Sequence, residues 1–165
     1  MKKIIVADTS PLIALAKLNH LELLLTLFSE IHLPKAVYLE ATYNRYRQDS
    51  KVIHYFIEQQ PAIIIHEDQK DVHYQAFRHI LDEGESQALL LAKNLSCGIL
   101  IDERLGRIIA KQENIPVVGV MGMLLYAKSL GKITAIKPLI DQLQHKHYRL
   151  SDRLITLVLD KAGER

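Results

Sequence analysis

The chain has 165 residues, 48% hydrophobic and 24% charged, with a formal net charge of +2 and a sequence pI of about 8.6. That composition excludes a disordered chain, and no apolar run approaches the ~20 residues of a membrane span. The charge permits nucleic-acid binding without arguing for it, because domains marked by charge alone lie above a pI of ~9.

The first element reads directly from "MKKIIVADTSPLIAL". Ile4–Ala7 is a continuous β-branched and apolar run, the pattern of a strand covered on both faces. It ends on Asp8. Ser10-Pro11 then has the form of a helix start, a hydroxyl cap followed by proline at the first helical position. Leu12, Leu15 and Ala16 share one helical face, while Leu21, Leu24, Leu25 and Phe28 share another, so a break is expected near Asn19-His20. Ile31–Leu33 is a short strand, and Pro34 opens a helix carrying Val37, Glu40 and Ala41. The polar "RYRQDSK" is expected to end that helix. Val52, Ile53, Phe56 and Ile57 give a further helical face, and Ala62–Ile65 a strand.

Asp68 or Asp71 is placed to cap a helix running to about Leu81, and "LDEGESQALLLAKNL" starts the next. Gly98–Ile101 is a second buried-type strand, and it too ends on an aspartate, Asp102. A helix with Leu105, Ile108 and Ile109 follows, then a strand at Pro116–Val120 and a helix at Met121–Leu130 closed by Gly131. Two helices complete the tail, near 138–148 and 151–162, with Ser151 as a cap and Gly163 as a stop. The apolar set Leu154, Ile155, Val158 and Leu159 suits packing on the sheet or pairing of two subunits into a homodimer. Strands alternating with helices indicate an α/β fold, a parallel sheet flanked by helices. Length favours a single domain over residues 1–165, with a core over about 1–131 and a helical extension over about 132–165. The lone Cys97 fits a reducing compartment, and the apolar run after Lys2-Lys3 is too short for a signal peptide. A cytoplasmic protein with no membrane contact is the expectation.

In open α/β sheets, ligands bind beyond the carboxyl ends of the strands, where the topology reverses. Asp8 and Asp102 both occupy such ends. Asp8 has a structural alternative as a helix cap, although Ser10 already fits that role. Glu40, one turn after Val37, reads by itself as a solvent-edge residue. Glu85 stands three residues after Asp82, the spacing of a capping box. Gly84 between them is a poor helix former, better explained if another group approaches closely there. For Asp102 the bland alternative is a salt bridge to Arg104, worth about 0–1 kcal/mol if exposed. Should the four carboxylates converge, each raises the others' pKa unless a cation intervenes. All-oxygen carboxylate donors select Mg²⁺ or Mn²⁺ over zinc.

The stretches "VADTSPLIAL", "LPKAVYLEA", "LDEGESQALLLA", "GILIDERLGRIIA" and "VVGVMGMLLYAK" together resemble the PIN-domain nucleases. The resemblance is closest to a VapC-like bacterial branch with a "DxGE" motif and a C-terminal "GE". It implies a three-layer α/β/α domain with a central parallel sheet of four to five strands and C-terminal helices. It also implies a Mg²⁺- or Mn²⁺-dependent endoribonuclease cutting single-stranded RNA by metal-activated water, as the toxin opposite an antitoxin protein. Carried over residue by residue, the four acids, both catalytic and metal-binding, match Asp8, Glu40, Glu85 and Asp102. The supporting hydroxyl matches Thr9 or Ser10, with Ser10 preferred two positions beyond Asp8. One departure is Val120 after Gly119, where this branch often has threonine. Arg104 and Arg107 are candidates for phosphate contacts, and equally a solvated helix start. "TYNRYRQDSK" interleaves aromatics and cations in a way suited to unpaired RNA, with Arg45 and Tyr46 as candidate contacts.

Two other readings compete. One is a non-catalytic nucleic-acid-binding or regulatory module on the same fold, against which four intact acids argue. The other is a haloacid-dehalogenase-like phosphatase, which also starts from a strand ending in aspartate. That chemistry needs a second aspartate two residues on, where this sequence has Ser10.

Overall fold

The computed structural model describes residues 3–44 and 46–165. Five strands form one parallel sheet in the order β3-β2-β1-β4-β5. These are β1 (Lys3–Ala7), β2 (Phe28–Pro34), β3 (Ile63–His66), β4 (Gly98–Leu100) and β5 (Val117–Val118). Strand β1 lies at the centre. Val6 faces His32 of β2 on one side and Ile99 of β4 on the other, and Ala7 pairs with Leu100. Ile5, Val6, Ala7, Ile99 and Leu100 are all buried. Burial on both faces explains why these strands read as unbroken apolar runs instead of alternating ones.

Helices flank the sheet, as the α/β pattern predicts. Helix α1 (Thr9–Lys17) breaks at Asn19, which sits at φ 57°, and α2 (Glu22–Leu27) resumes on the new face. Helices α3 (Lys35–Thr42) and α4 (Gln48–Gln59) connect β2 to β3. Helices α5 (Val72–Arg78) and α6 (Glu83–Leu95) lead to β4, and α7 (Arg104–Gln112) leads to β5. Helix α8 (Val120–Ser129) is followed by α9 (Lys137–His145) and α10 (Asp152–Ala162). Asp71 and Ser151 cap α5 and α10, accepting the Tyr74 and Leu154 amides. Gly131 and Gly163 take positive φ just past α8 and α10, as C-terminal stops do.

Three local expectations are corrected. Helix α1 begins at Thr9, with Asp8 at the cap position, so Ser10 lies inside the first turn, exposed, and does not cap. Pro34 closes β2 before α3 begins at Lys35. The polar stretch thought to end α3 is divided: α3 stops at Thr42, and Gln48–Lys51 already form the first turn of α4. There Asp49 is buried against Arg47, at 2.7 Å, so burial and an ion pair make that segment part of the fold.

The tail is anchored at both ends. Val158 of α10 is buried, with Leu154, Ile155 and Leu159 packed around it, and α10 lies against α8. That apolar face, which also suited a second subunit, is thus used in part within the chain: Val158 is buried, while Leu154, Ile155 and Leu159 are only partly so. Just beyond α10, Glu164 accepts the Ile136 and Lys137 amides at 2.8 and 2.9 Å and the Lys128 ammonium at 2.9 Å. It thereby satisfies amides at the start of α9 that would otherwise lack partners. Among the described residues no helix is long and apolar enough to cross a membrane.

Candidate active site

The strand order puts the topological reversal between β1 and β4. From β1 the chain runs outward to β2 and β3, then crosses to β4 and β5 on the other side. The crevice this creates lies beyond the carboxyl ends of β1 and β4. Asp8 is the next residue after β1 and Asp102 the second after β4. The Asp8 amide still bonds Leu100 O at 2.9 Å, which ties the two strand ends together.

Asp8 is 3% exposed and occupies the cap position of α1 without making a side-chain cap bond. The structural alternative for this acid is therefore not used. Its carboxyl is pushed up to about 7, first by burial and then by the charges of Glu85, Asp82 and Glu40, with the Thr9 amide opposing. Glu85, half-buried in the first turn of α6, is also pushed up to about 7, by burial and by Asp82, Glu103 and Glu40. Glu40 projects from α3 and is raised in the same direction by desolvation and Asp82. Three of the four expected acids thus share one field, to which Asp82 adds a fourth negative charge.

Asp82 also does the capping job, accepting the Glu85 amide at 2.8 Å. Cap and cluster membership are not alternatives here. Gly84 has the close neighbour its sequence context suggests: a Cβ at that position would lie 2.6 Å from Glu40 Oε2. Helix α6 carries glycine there because the Glu40 carboxyl occupies the space.

Asp102 is held differently. Its Oδ1 accepts the Val120 amide at 3.0 Å, and its Oδ2 accepts the Tyr148 hydroxyl at 2.8 Å. No ion pair joins it to Arg104, so the salt-bridge alternative does not apply among the described residues. Tyr148 is the contributor that the sequence does not reveal. The Gly119–Val120 pair serves Asp102 through its backbone. Glu103 beside it caps α7, accepting the Gly106 amide at 2.7 Å.

The remaining candidates separate clearly. Thr9 is buried, and its Oγ1 has no hydrogen bond of ordinary geometry, although its proximity holds the Glu40 carboxyl down slightly. Ser10 is exposed. Arg107 is half-buried, its Nη1 2.9 Å from where a Gly119 Cβ would stand, on the side of Asp102. Arg104 is exposed, and Tyr46 is 97% exposed. Arg45 lies outside the described residues. A separate cavity of about 210 Å³, lined by Pro34, His66, Gln87 and Leu91 among others, contains none of the four acids.

The donor set can be weighed against a divalent ion. Asp8, Glu40, Asp82, Glu85, Asp102 and Glu103 form no ion pair with a described Lys or Arg. Asp8 is buried in that condition, and such a carboxylate takes up a proton or a cation; oxygen donors suit Mg²⁺ or Mn²⁺. The buried Thr9 hydroxyl, beside Glu40, adds a further oxygen. The chemistry therefore fits a hard cation, but the arrangement is not preformed. Among the described residues, no group of three His, Cys, Asp or Glu side chains stands in ligand geometry.

No curated protein matches this sequence. A family model described as a PIN domain matches residues 4–164. With a five-stranded parallel sheet and carboxylates gathered at its switch point, the chain belongs to the PIN-domain family, whose members are typically nucleases.

Proposed function

We propose that this protein is a divalent-metal-dependent endoribonuclease acting on single-stranded RNA, and the toxin of a toxin–antitoxin pair. One observation carries the nuclease reading. Asp8, Glu85 and Glu40 are gathered near the strand ends with raised pKa values and no ion-pair partner among the described residues. A buried carboxylate such as Asp8 among like charges is costly, and a bound cation removes that cost.

In this reading Asp8, Glu40, Glu85 and Asp102 hold Mg²⁺ or Mn²⁺, which supplies Lewis acidity toward a phosphate and a water. Asp8 is the most buried of the four and excludes bulk water from the base of the site. Glu40 and Glu85, nearer the rim, complete the ligand set or orient the attacking water. Thr9 offers its free hydroxyl to Glu40. Arg107, beside Asp102, is placed to contact a phosphate oxygen, and Arg104 lies farther out on the same helix. Tyr46 and Arg45 belong to a segment suited to stacking on and tracking an unpaired strand. The toxin assignment rests on the resemblance to the VapC-like branch.

Purified protein with Mn²⁺ is expected to cut single-stranded RNA, and Asp8→Asn to reduce cutting by more than about 100-fold while the fold persists. Equal cleavage by that variant overturns the proposal. Expression in the absence of an antitoxin is expected to arrest growth, with relief by the same substitution. The unassembled ligand geometry favours one second reading, a non-catalytic nucleic-acid-binding module. That reading predicts RNA binding without turnover and without response to Mn²⁺.

A further inference from the structure

The carboxylate that follows β4 is gripped from outside the sheet. Val120 N donates to Asp102 Oδ1 at 3.0 Å, and Tyr148 Oη donates to Asp102 Oδ2 at 2.8 Å. The donors come from unrelated elements, the first residue of α8 and the link between α9 and α10. One donor on each oxygen fixes both the direction and the plane of a carboxylate. Each oxygen keeps a second lone pair free. Gly119 makes the grip possible, since a Cβ there would lie 2.6 Å from Asp102 Oδ1.

The placement of Tyr148 is itself built into the fold. Helix α9 ends through His147 at φ 64°, and the Tyr148 amide returns to Leu143 O at 2.8 Å. The ring is partly buried against the core. Against a carboxylate oxygen, which accepts, the phenol O–H is the partner that carries the proton. It is therefore a donor, on a backbone turn that holds it in place. Behind that turn, the Glu164 contacts fix the other end of α9.

We propose that Tyr148 is a positioning residue for the acidic site: its hydroxyl orients Asp102 toward the carboxylate cluster and so sets the affinity for divalent metal. This inference rests on the reading of the four acids as a metal site. Outer partners of ligating carboxylates work this way, and losing one costs roughly 10–100-fold in metal affinity or activity.

The test is Mn²⁺ binding by calorimetry to the full chain, comparing wild type, Tyr148→Phe, Asp102→Asn and the double variant. Thermal unfolding without metal checks the fold of each. Tyr148→Phe is expected to weaken Mn²⁺ binding roughly 10–100-fold, and to weaken it no further once Asp102 is Asn. Its cleavage defect is expected to appear as a higher Mn²⁺ requirement, with the limiting rate recovered at excess metal. A tyrosine that merely packs the tail would show no such rescue. Unchanged or tighter Mn²⁺ binding by Tyr148→Phe, or an undiminished effect in the Asp102→Asn background, overturns the proposal. Absence of Mn²⁺ uptake by wild type is a different result: it overturns the metal-site reading, and the role of Tyr148 falls with it.

Discussion

Glu85 and Glu164 each follow a glycine, and the fold drives their carboxyls in opposite directions. Glu164 meets Lys128 and two backbone amides and is pulled down to about 2, the Lys128 hydrogen bond being the largest cause. Glu85 meets burial, Asp82, Glu103 and Glu40 and is pushed up to about 7. The glycines differ in the same sense. Gly163 takes φ +71° to end a helix, with nothing close to it, whereas Gly84 makes room for a second carboxylate. At the tail the chain supplies the positive charge its acid requires. At the strand ends it withholds that charge, and this distinguishes a structural carboxylate from one held for a ligand.

The strongest way to break this contrast is to neutralise the acid site without metal. The folded-state pKa of Asp8 is raised, so its stabilising contribution is full below about 4 and is lost as pH rises through about 7. Asp8→Asn should therefore stabilise the ion-free protein by about 2–3 kcal/mol at pH 8 in urea denaturation, and by much less at pH 5. A loss of stability at pH 8 would show that Asp8 is structural. Mn²⁺ at 100 times its Kd should give wild type a gain of about 2.7 kcal/mol, with affinity lower at pH 5, where protons compete.

Next in size is the opposite corner. Glu164→Ala should cost about 1–2 kcal/mol near neutral pH, since the Ile136 and Lys137 amides lose their acceptor and Lys128 loses its ion pair. Because the pKa of Glu164 is depressed, its contribution is present above about 4.5 and is lost as pH falls through about 2. The penalty should therefore shrink in acid, which denaturation at pH 7 and pH 2.5 would reveal. The smallest stability effect is expected at Gly84→Ala. Helix propensity favours the new methyl by about 0.5–1 kcal/mol, but the methyl must displace the Glu40 carboxyl. Stability should hardly change while Mn²⁺-dependent cleavage falls about 10-fold, and retained cleavage would remove Glu40 from the site.

Sequence pointed to the candidate site where it was written into strand ends. Asp8 and Asp102 stood out because an acid closing a buried apolar run lacks a local reason, and Gly84 stood out because a glycine in a first helical turn needs one. Thr9 and Ser10 show the limit of such reading. A serine before a proline fits a cap, yet the helix starts two residues earlier, at Thr9, and turns ~100° per residue, so the buried hydroxyl is Thr9. Asp82 was legible as a cap but not also as part of the acidic field, because that depends on where α3 delivers Glu40. Tyr148 left no local trace. Its meaning comes from a tertiary contact spanning 46 positions, and no periodicity or capping rule encodes such a distance.

The arrangement around Asp102 also has a consequence for how the protein is made. Synthesis runs from the amino terminus at about 5–20 residues per second, and non-local contacts form late. Asp8 leaves the ribosome early, Asp102 only after most of the sheet, and Tyr148 and Glu164 after every strand. The grip on Asp102 thus closes only after every strand of the sheet has been made. For a protein read as an RNA-cutting toxin, that order leaves the acid site without its Tyr148 contact while the sheet is being made.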